Sequence, residues 1–115
     1  MYLRRSGRID VAIGVRVASG ENGFKGTAAN IGAGGLFLVA DRLKPVGEEL
    51  RLSFQLPDRK DELNVLAEVR WVRGDITPHD EHPNGMGLRF LGLSRGQRLT
   101  LSHFVRTIED ARSAT

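Results

Sequence analysis

The sequence has no cysteine, which excludes disulfides, a thiol nucleophile and thiolate-bound zinc or iron–sulfur sites. Aromatic residues make up only 6% of the chain. No apolar run approaches the roughly 20 residues needed to cross a bilayer, so we expect no membrane insertion. Residues 1–5 lack the apolar stretch of a signal peptide, which makes the cytoplasm the expected compartment.

Lysine is scarce as well, because 14 of the 17 basic residues are arginine. Arginine carries a planar fork of donors that matches phosphate oxygens and purine edges, and it stacks on flat rings. The formal net charge of +3 is nevertheless too small for the dense basic face of a nucleic-acid-binding protein, so we expect no DNA or RNA partner. The length of 115 residues suffices for one domain with a single core.

Alternating apolar residues predict an all-β domain. Six short strands with period-two patterning are separated by turns, and no helix lies between them to allow parallel crossovers. This pattern is typical of an antiparallel barrel or sandwich. In the fifth strand, the alternation places Trp71 on the core face together with Val69. The predicted strands cover residues 11–17, 24–29, 36–40, 50–56, 63–71 and 86–90.

After the sixth strand the apolar period changes to that of a helix. Residues 94–97 have the S-x-x-Q form of a capping box, which satisfies free N–H groups at a helix start. Leu101, Phe104, Val105 and Ile108 then form one apolar stripe. The stripe predicts a C-terminal helix that covers the open end of the barrel or packs on its outside. A stripe left exposed to recruit a partner is the alternative.

Catalysis has little support in the sequence. His79 and His82 enclose two carboxylates, but Pro78 and Pro83 indicate a loop, in which this spacing does not bring two imidazoles onto one metal. His103 lies beside the apolar stripe of the helix and is expected at the surface. The sequence contains neither a nucleophile elbow nor a P-loop. We therefore expect no enzyme, no metal site and no cofactor.

A short basic arm precedes the first strand. Arg4, Arg5 and Arg8 place three guanidinium groups there, and Gly7 provides a hinge within the arm. Such groups can grip phosphates, stack on purines or bind the O6 and N7 acceptors of guanine. The alternative is a disordered, solubilising tail, as most basic termini are.

Residues 30–35, Asn-Ile-Gly-Ala-Gly-Gly, form a glycine-dense corner between two strands. Three glycines in four residues indicate a positive φ or a close backbone approach, required by a tight bend or by a ligand. Asn30 adds donors and an acceptor that suit a base edge or a ribose. The alternative is a purely structural bend.

Together, the arm and the corner resemble the motifs of PilZ domains, the bacterial receptor modules for cyclic di-GMP. The family has R-x-x-x-R before its first strand, which Arg4 and Arg8 match, and D/N-x-S-x-x-G at a later strand junction. Asn30 and Gly35 match the second motif, whereas Gly32 stands in the place of its serine. The resemblance extends over residues 3–109 and includes segments 45–48, 67–72 and 85–90.

The resemblance implies a six-stranded antiparallel β-barrel with a C-terminal α-helix, and cyclic di-GMP as the ligand. Arg4 and Arg8 would stack on guanine and pair with phosphate. Arg5 would add a phosphate contact or point into water. Asn30 would hydrogen-bond a guanine, and Gly35 would permit the close backbone turn.

Gly32 leaves two functions open. Loss of a serine hydroxyl from a charged ligand costs about 1.5–3 kcal/mol, or about one to two decades of affinity. A serine introduced at this position is expected to tighten binding if the backbone there has room. In the first function, an arm of residues 1–10 docks on a barrel-and-helix domain of residues 11–110 when the nucleotide binds, which creates a surface for a downstream protein. In the second, the chain is an adaptor, for example in motility, that binds proteins without nucleotide. The retained arginines and Asn30 favour the receptor.

Overall fold

The computed structural model of the protein describes residues 7–18, 20, 22–74 and 84–113. In this part of the chain, six strands precede one helix, as the alternation and the later change of period predict. The elements are β1 (Arg8–Ala18), β2 (Phe24–Gly32), β3 (Gly35–Val39), β4 (Glu49–Gln55), β5 (Glu62–Arg73), β6 (Gly85–Leu91) and α1 (Arg95–Ser113).

The six strands form a closed barrel in the order β1-β2-β3-β6-β5-β4. All six pairings are antiparallel. β1 closes the barrel by pairing with β4, where Val15 lies opposite Phe54 and Val17 opposite Leu52. The structure therefore confirms a six-stranded antiparallel β-barrel with a C-terminal α-helix and rules out the sandwich.

Side chains that alternate along each strand fill the barrel interior. In β4, Leu52 and Phe54 are at most 2% exposed, whereas Arg51 and Gln55 on either side of them face outwards. Phe54 also stacks on Phe90 of β6, with ring centroids 6.3 Å apart. Burial of an apolar side chain of this size contributes about 1.5–3 kcal/mol to stability. The packed interior gives the strands fixed positions on which a site can be built.

A β-bulge in β5 moves Trp71 to the outside of the barrel, where the alternation predicts a core position. The register of the pairing with β6 shifts between Val69 and Trp71. An extra residue in one strand reverses the face on which the following side chains lie. Val69 is fully buried, but Trp71 is 46% exposed. The prediction that Trp71 belongs to the core was wrong.

β1 and β2 each extend three residues further towards the glycine corner than their sequence patterns indicate. β1 begins at Arg8, because residues 8–10 pair with residues 30–32 at the end of β2. The last three residues of the predicted arm are therefore strand. The first half of the predicted glycine corner is strand as well, and the bend between β2 and β3 comprises only residues 33–34.

The capping box predicted at residues 94–97 forms at the start of α1. Ser94 Oγ accepts a hydrogen bond from the Gln97 N–H over 3.0 Å, and Gln97 Oε1 accepts one from the Ser94 N–H over 2.9 Å. Leu101, Phe104 and Val105 are buried in the same core cluster as the barrel residues. The apolar stripe of the helix is thus covered by the barrel.

Polar contacts tie α1, which packs mainly against β1 and β2, to the start of β1. Arg112 Nη2 donates a hydrogen bond to the carbonyl oxygen of Asp10 over 2.8 Å. The Gly7 N–H donates to the carboxylate of Glu109 over 3.4 Å. Across the described ranges, no helix combines the length and the apolar character that a membrane span requires.

Candidate ligand-binding site

Three of the motif residues come together where β1 and β2 pair. Arg8 lies opposite Gly32 in the ladder. Its Nη1 donates a hydrogen bond to Oδ1 of Asn30 over 2.5 Å, so the amide of Asn30 orients the guanidinium group. Arg4 and Arg5, the other predicted arginines, lie outside the residues that the structure describes.

Gly32 and Gly35 are required by close backbone packing. A Cβ on Gly32 would lie 2.3 Å from the carbonyl oxygen of Gly7, and one on Gly35 would lie 2.1 Å from the carbonyl oxygen of Leu88. Neither glycine has a positive φ, whereas Gly7 does, at 85°. Of the two reasons that the sequence left open for this corner, the structure shows the close approach. The chain itself occupies the space that a serine side chain at residue 32 would need.

A cavity of about 610 Å³ opens beside this pairing, between the barrel and α1. Small-molecule sites usually have volumes of about 300–1,000 Å³. Residues of β1, the bend after β2, β5, β6 and α1 all line the cavity, and together they carry a formal charge of +3. The charged lining residues are Arg8, Arg70, Arg89, Arg106 and Glu109.

Only some of the predicted residues line this cavity. Arg8 and Gly32 do, whereas Asn30 and Gly35 do not. Asn30 acts on the site through its hydrogen bond to Arg8. Gly35 lets β3 approach β6 next to Leu88, which is itself a lining residue. A direct hydrogen bond from Asn30 to a guanine stays a prediction.

Trp71 provides an aromatic surface at the cavity. Its indole packs against Phe37, with ring centroids 5.1 Å apart and 23° between the ring planes. It also covers Gly87, where a Cβ would lie 2.1 Å from the indole Nε1. The Arg73 guanidinium carbon lies 5.9 Å from the centroid of the indole. These contacts fix the ring and leave nearly half of the residue exposed.

One carboxylate holds two of the cavity arginines together. Glu68 Oε1 lies 3.3 Å from Arg70 Nη1 and 3.6 Å from Arg89 Nη2. Glu68 and Arg89 are also direct partners in the β5–β6 ladder. Exposed ion pairs of this kind contribute at most about 1 kcal/mol to stability. Their main effect is to keep two guanidinium groups side by side at the cavity.

The sequence patterns singled out Arg8 but none of the other five charged or aromatic lining residues. Strict alternation assigns Trp71 to the core, because a bulge leaves no mark in the spacing of apolar residues. Arg106 and Glu109 lie on α1, each directly after a residue of its apolar stripe. This position beside the stripe is the sequence signal that could have identified them. The five residues are Arg70, Trp71, Arg89, Arg106 and Glu109.

The histidines do not contribute to this cavity in the described part of the chain. His79 and His82 fall outside the residues that the structure describes. His103 is exposed on α1, as the sequence predicts. Among the described residues, no group of three or more histidines and carboxylates could hold a metal ion.

A comparison with models of known protein families identifies the family to which this fold and these two motif regions belong. The model of the PilZ domain matches residues 2–107, which is most of the chain. The chain belongs to the PilZ domain family. This membership confirms the resemblance inferred from the arm and the glycine corner. No curated protein matches this PilZ domain.

Several solved structures are similar to this PilZ domain. The inhibitor of motility MotI/DgrA from Bacillus subtilis is 28% identical with a TM-score of 0.79. That match covers 94% of this chain and 52% of the other, so this chain spans about half the length of the motility inhibitor. The PilZ domain of YcgR from Escherichia coli, solved with cyclic di-GMP, is 16% identical with a TM-score of 0.71 and 97% coverage of both chains. The PilZ domain of CeSA from a cellulose-synthesizing bacterium is 18% identical with a TM-score of 0.64, covering 90% of this chain and 99% of that one. The last two similarities show the shared fold.

Proposed function

We propose that this PilZ domain is a receptor that binds cyclic di-GMP in the cavity between the barrel and α1. The observation that carries the proposal is the convergence of four arginines and one exposed tryptophan on that cavity. Family membership supports it, as does the YcgR PilZ domain, which was solved with this nucleotide. The proposal involves no catalytic step and no cofactor, and its compartment is the cytoplasm.

The charge of the cavity fits a small dianion. Cyclic di-GMP carries two phosphates and therefore two negative charges, against a formal charge of +3 from the lining residues. Guanidinium groups bind phosphate oxygens through charge-assisted hydrogen bonds, which are roughly twice as strong as neutral ones. The arginines lie on β1, β5, β6 and α1, so they can contact the ligand from several sides.

The exposed indole of Trp71 suits the guanine bases of the ligand. Nucleobases stack on aromatic side chains, and each such contact contributes about 1–3 kcal/mol to binding. Phe37 and Gly87 hold the ring in place before the ligand arrives, which reduces the entropy lost on binding. We expect one guanine of cyclic di-GMP to stack on this ring.

The motif residues keep the roles that family membership suggests. Arg4 and Arg8 stack on guanine and pair with phosphate, and Arg5 adds a phosphate contact. Asn30 orients Arg8 before binding and hydrogen-bonds a guanine in the complex. Gly35 maintains the close approach of β3 and β6 beside the cavity.

Binding would change a surface that a downstream protein recognises. Gly7, directly before β1, contacts α1 through its hydrogen bond to Glu109, so a ligand that moves Arg8 alters this contact. The part of the predicted arm that precedes β1 would dock on the barrel in the same step. The similarity to an inhibitor of motility makes control of motility the process we propose.

Calorimetric titration of Arg8→Ala with cyclic di-GMP tests the site. Charge-assisted hydrogen bonds contribute about 1.5–3 kcal/mol, so the variant should bind about 10- to 100-fold more weakly than the wild type. Arg51→Ala is the matched control, because it removes the same charge from an exposed position of β4 outside the cavity. GTP, GMP and cyclic di-AMP serve as specificity controls.

Equal affinities of Arg8→Ala and Arg51→Ala would exclude the proposed site. If the wild type binds no cyclic di-GMP, the adaptor becomes the better function, and the observation in its favour is the backbone that fills the serine position at Gly32. The adaptor predicts a protein partner whose capture survives Arg4→Ala/Arg8→Ala and does not respond to the nucleotide.

A further inference from the structure

Glu109 is the single carboxylate among the described residues that line the cavity. It lies on the flank of α1 that also carries Ser102 and Arg106, and it is half-buried. Every other charged residue of the lining is an arginine. A negative side chain at this position weakens the attraction for a dianion, so its presence calls for a specific contact.

The bonding of Glu109 leaves acceptor capacity for a ligand. Within the described part of the chain, its carboxylate has one hydrogen bond, from the Gly7 N–H over 3.4 Å, which is longer than an ordinary N–H···O bond. It takes part in none of the ion pairs found among the described residues. An ionised carboxylate has two oxygens and about four acceptor sites. Most of these acceptor sites therefore have no partner among the described residues, and the residue that carries them lines the cavity.

Guanine offers the donors that such a carboxylate needs. Its Watson–Crick edge has two neighbouring donors, N1–H and the 2-amino group, and the two oxygens of a carboxylate can accept both side by side. Adenine has an unprotonated N1 at the same place, and this lone pair repels a carboxylate. The neighbouring Arg106 keeps the local charge favourable for the phosphates of the same ligand.

We infer that Glu109 binds the Watson–Crick edge of one guanine and so selects cyclic di-GMP over cyclic di-AMP. The inference rests on the proposed function and adds α1 to the elements that recognise the ligand. The competing role is structural, in which Glu109 only anchors Gly7 and the start of β1. If the role is structural, substitution of Glu109 changes the affinity for every cyclic dinucleotide by the same factor. If Glu109 recognises the base directly, which we call the reading role, its substitution changes the ratio of these affinities.

The test compares Glu109→Gln with the wild type on three ligands: cyclic di-GMP, cyclic di-AMP and cyclic di-IMP, whose bases lack the 2-amino group. The wild type should bind cyclic di-GMP about tenfold or more tightly than cyclic di-IMP, because a hydrogen bond to a charged group is lost. In Glu109→Gln this ratio should fall to about threefold or less, since a neutral amide oxygen accepts more weakly. Asp110→Asn is the control: it removes the same charge from the next residue of α1, which is exposed and outside the cavity.

The outcomes separate this inference from the proposed function. Removal of a negative charge raises the affinity for all three dianions together, and this common factor cancels in the ratios. If the wild type binds cyclic di-GMP and both variants keep its ratios, the reading role is wrong and the receptor function stands. If the wild type binds none of the three ligands, the receptor function and this inference both fall.

Discussion

The backbone of Gly7 takes the space that a side chain at residue 32 would need. Its carbonyl oxygen lies 2.3 Å from the position of a Cβ on Gly32, where the family motif has serine. Since the obstacle is backbone, the start of β1 must move before any side chain fits, and Arg8 must move with it. We expected a serine at residue 32 to tighten binding only if the backbone there has room, and that room is absent.

We predict that Gly32→Ser weakens the binding of cyclic di-GMP and lowers thermal stability. Overpacking of this kind costs about 1–3 kcal/mol, and the displaced strand carries Arg8 away from Asn30. Gly14→Ser is the control, because a Cβ at Gly14 meets no atom within 4 Å and Gly14 lies outside the cavity. Thermal unfolding and calorimetric titration of both variants measure the two effects. Tighter binding by Gly32→Ser at an unchanged melting temperature would contradict this account.

Trp71 supplies its own spectroscopic test, because it is the only tryptophan in the sequence. We predict that cyclic di-GMP changes the fluorescence emission of the protein as a base stacks on the indole. Trp71→Leu should bind about tenfold more weakly or worse, since base stacking contributes about 1–3 kcal/mol. Val72→Ala, at the exposed neighbouring residue outside the cavity, should bind as the wild type does. Binding seen by calorimetry without any change in emission would place the ligand away from Trp71.

At the scale of elements, neighbouring residues of α1 have two roles: some pack into the core and others line the cavity. Leu101 and Phe104 are buried against the barrel, while Ser102 and Arg106 line the cavity. The start of the helix is fixed by its capping box and by Gln97, whose Nε2 donates to the carbonyl oxygen of Asn64 in β5 over 2.9 Å. The position of the cavity wall therefore depends on how firmly the first turn of α1 is held.

We predict that Ser94→Ala destabilises the protein by about 1 kcal/mol, the usual effect of losing a capping hydroxyl. For a domain of this size the melting temperature should fall by roughly 4 °C. Circular dichroism at the helix band during heating measures this change. Ser113→Ala, at the other end of α1, is the control. Identical melting temperatures for the two variants would show that the capping box does not stabilise the helix.

The strands and the helix could be predicted from the sequence. The β-bulges, which determine the face of a strand on which its side chains lie, could not. The change from period two to a helical period predicts six strands followed by a helix, because burial imposes these periods locally. The bulge between Val69 and Trp71 depends on the pairing of β5 with β6, which no local pattern reveals. Linear spacing located Arg8 and Asn30, whereas Arg89 and Glu109 reach the cavity only through the packing of separate elements.

At the scale of the whole molecule, the cavity lies where the barrel meets its helix. β1, the bend after β2, β5, β6 and α1 all contribute to its lining. A ligand that contacts all these elements binds only the folded chain, because the unfolded chain does not bring them together. Such a ligand therefore stabilises the folded state against unfolding by mass action. The same arrangement links occupation of the cavity to the contact between β1 and α1, which is the surface that we propose a partner reads.

The most direct test of this account is a calorimetric titration of the whole chain with cyclic di-GMP. We predict saturable binding that weakens as the salt concentration rises, because arginine–phosphate contacts are screened by salt. No saturable heat, together with an unchanged emission of Trp71, would contradict the receptor function.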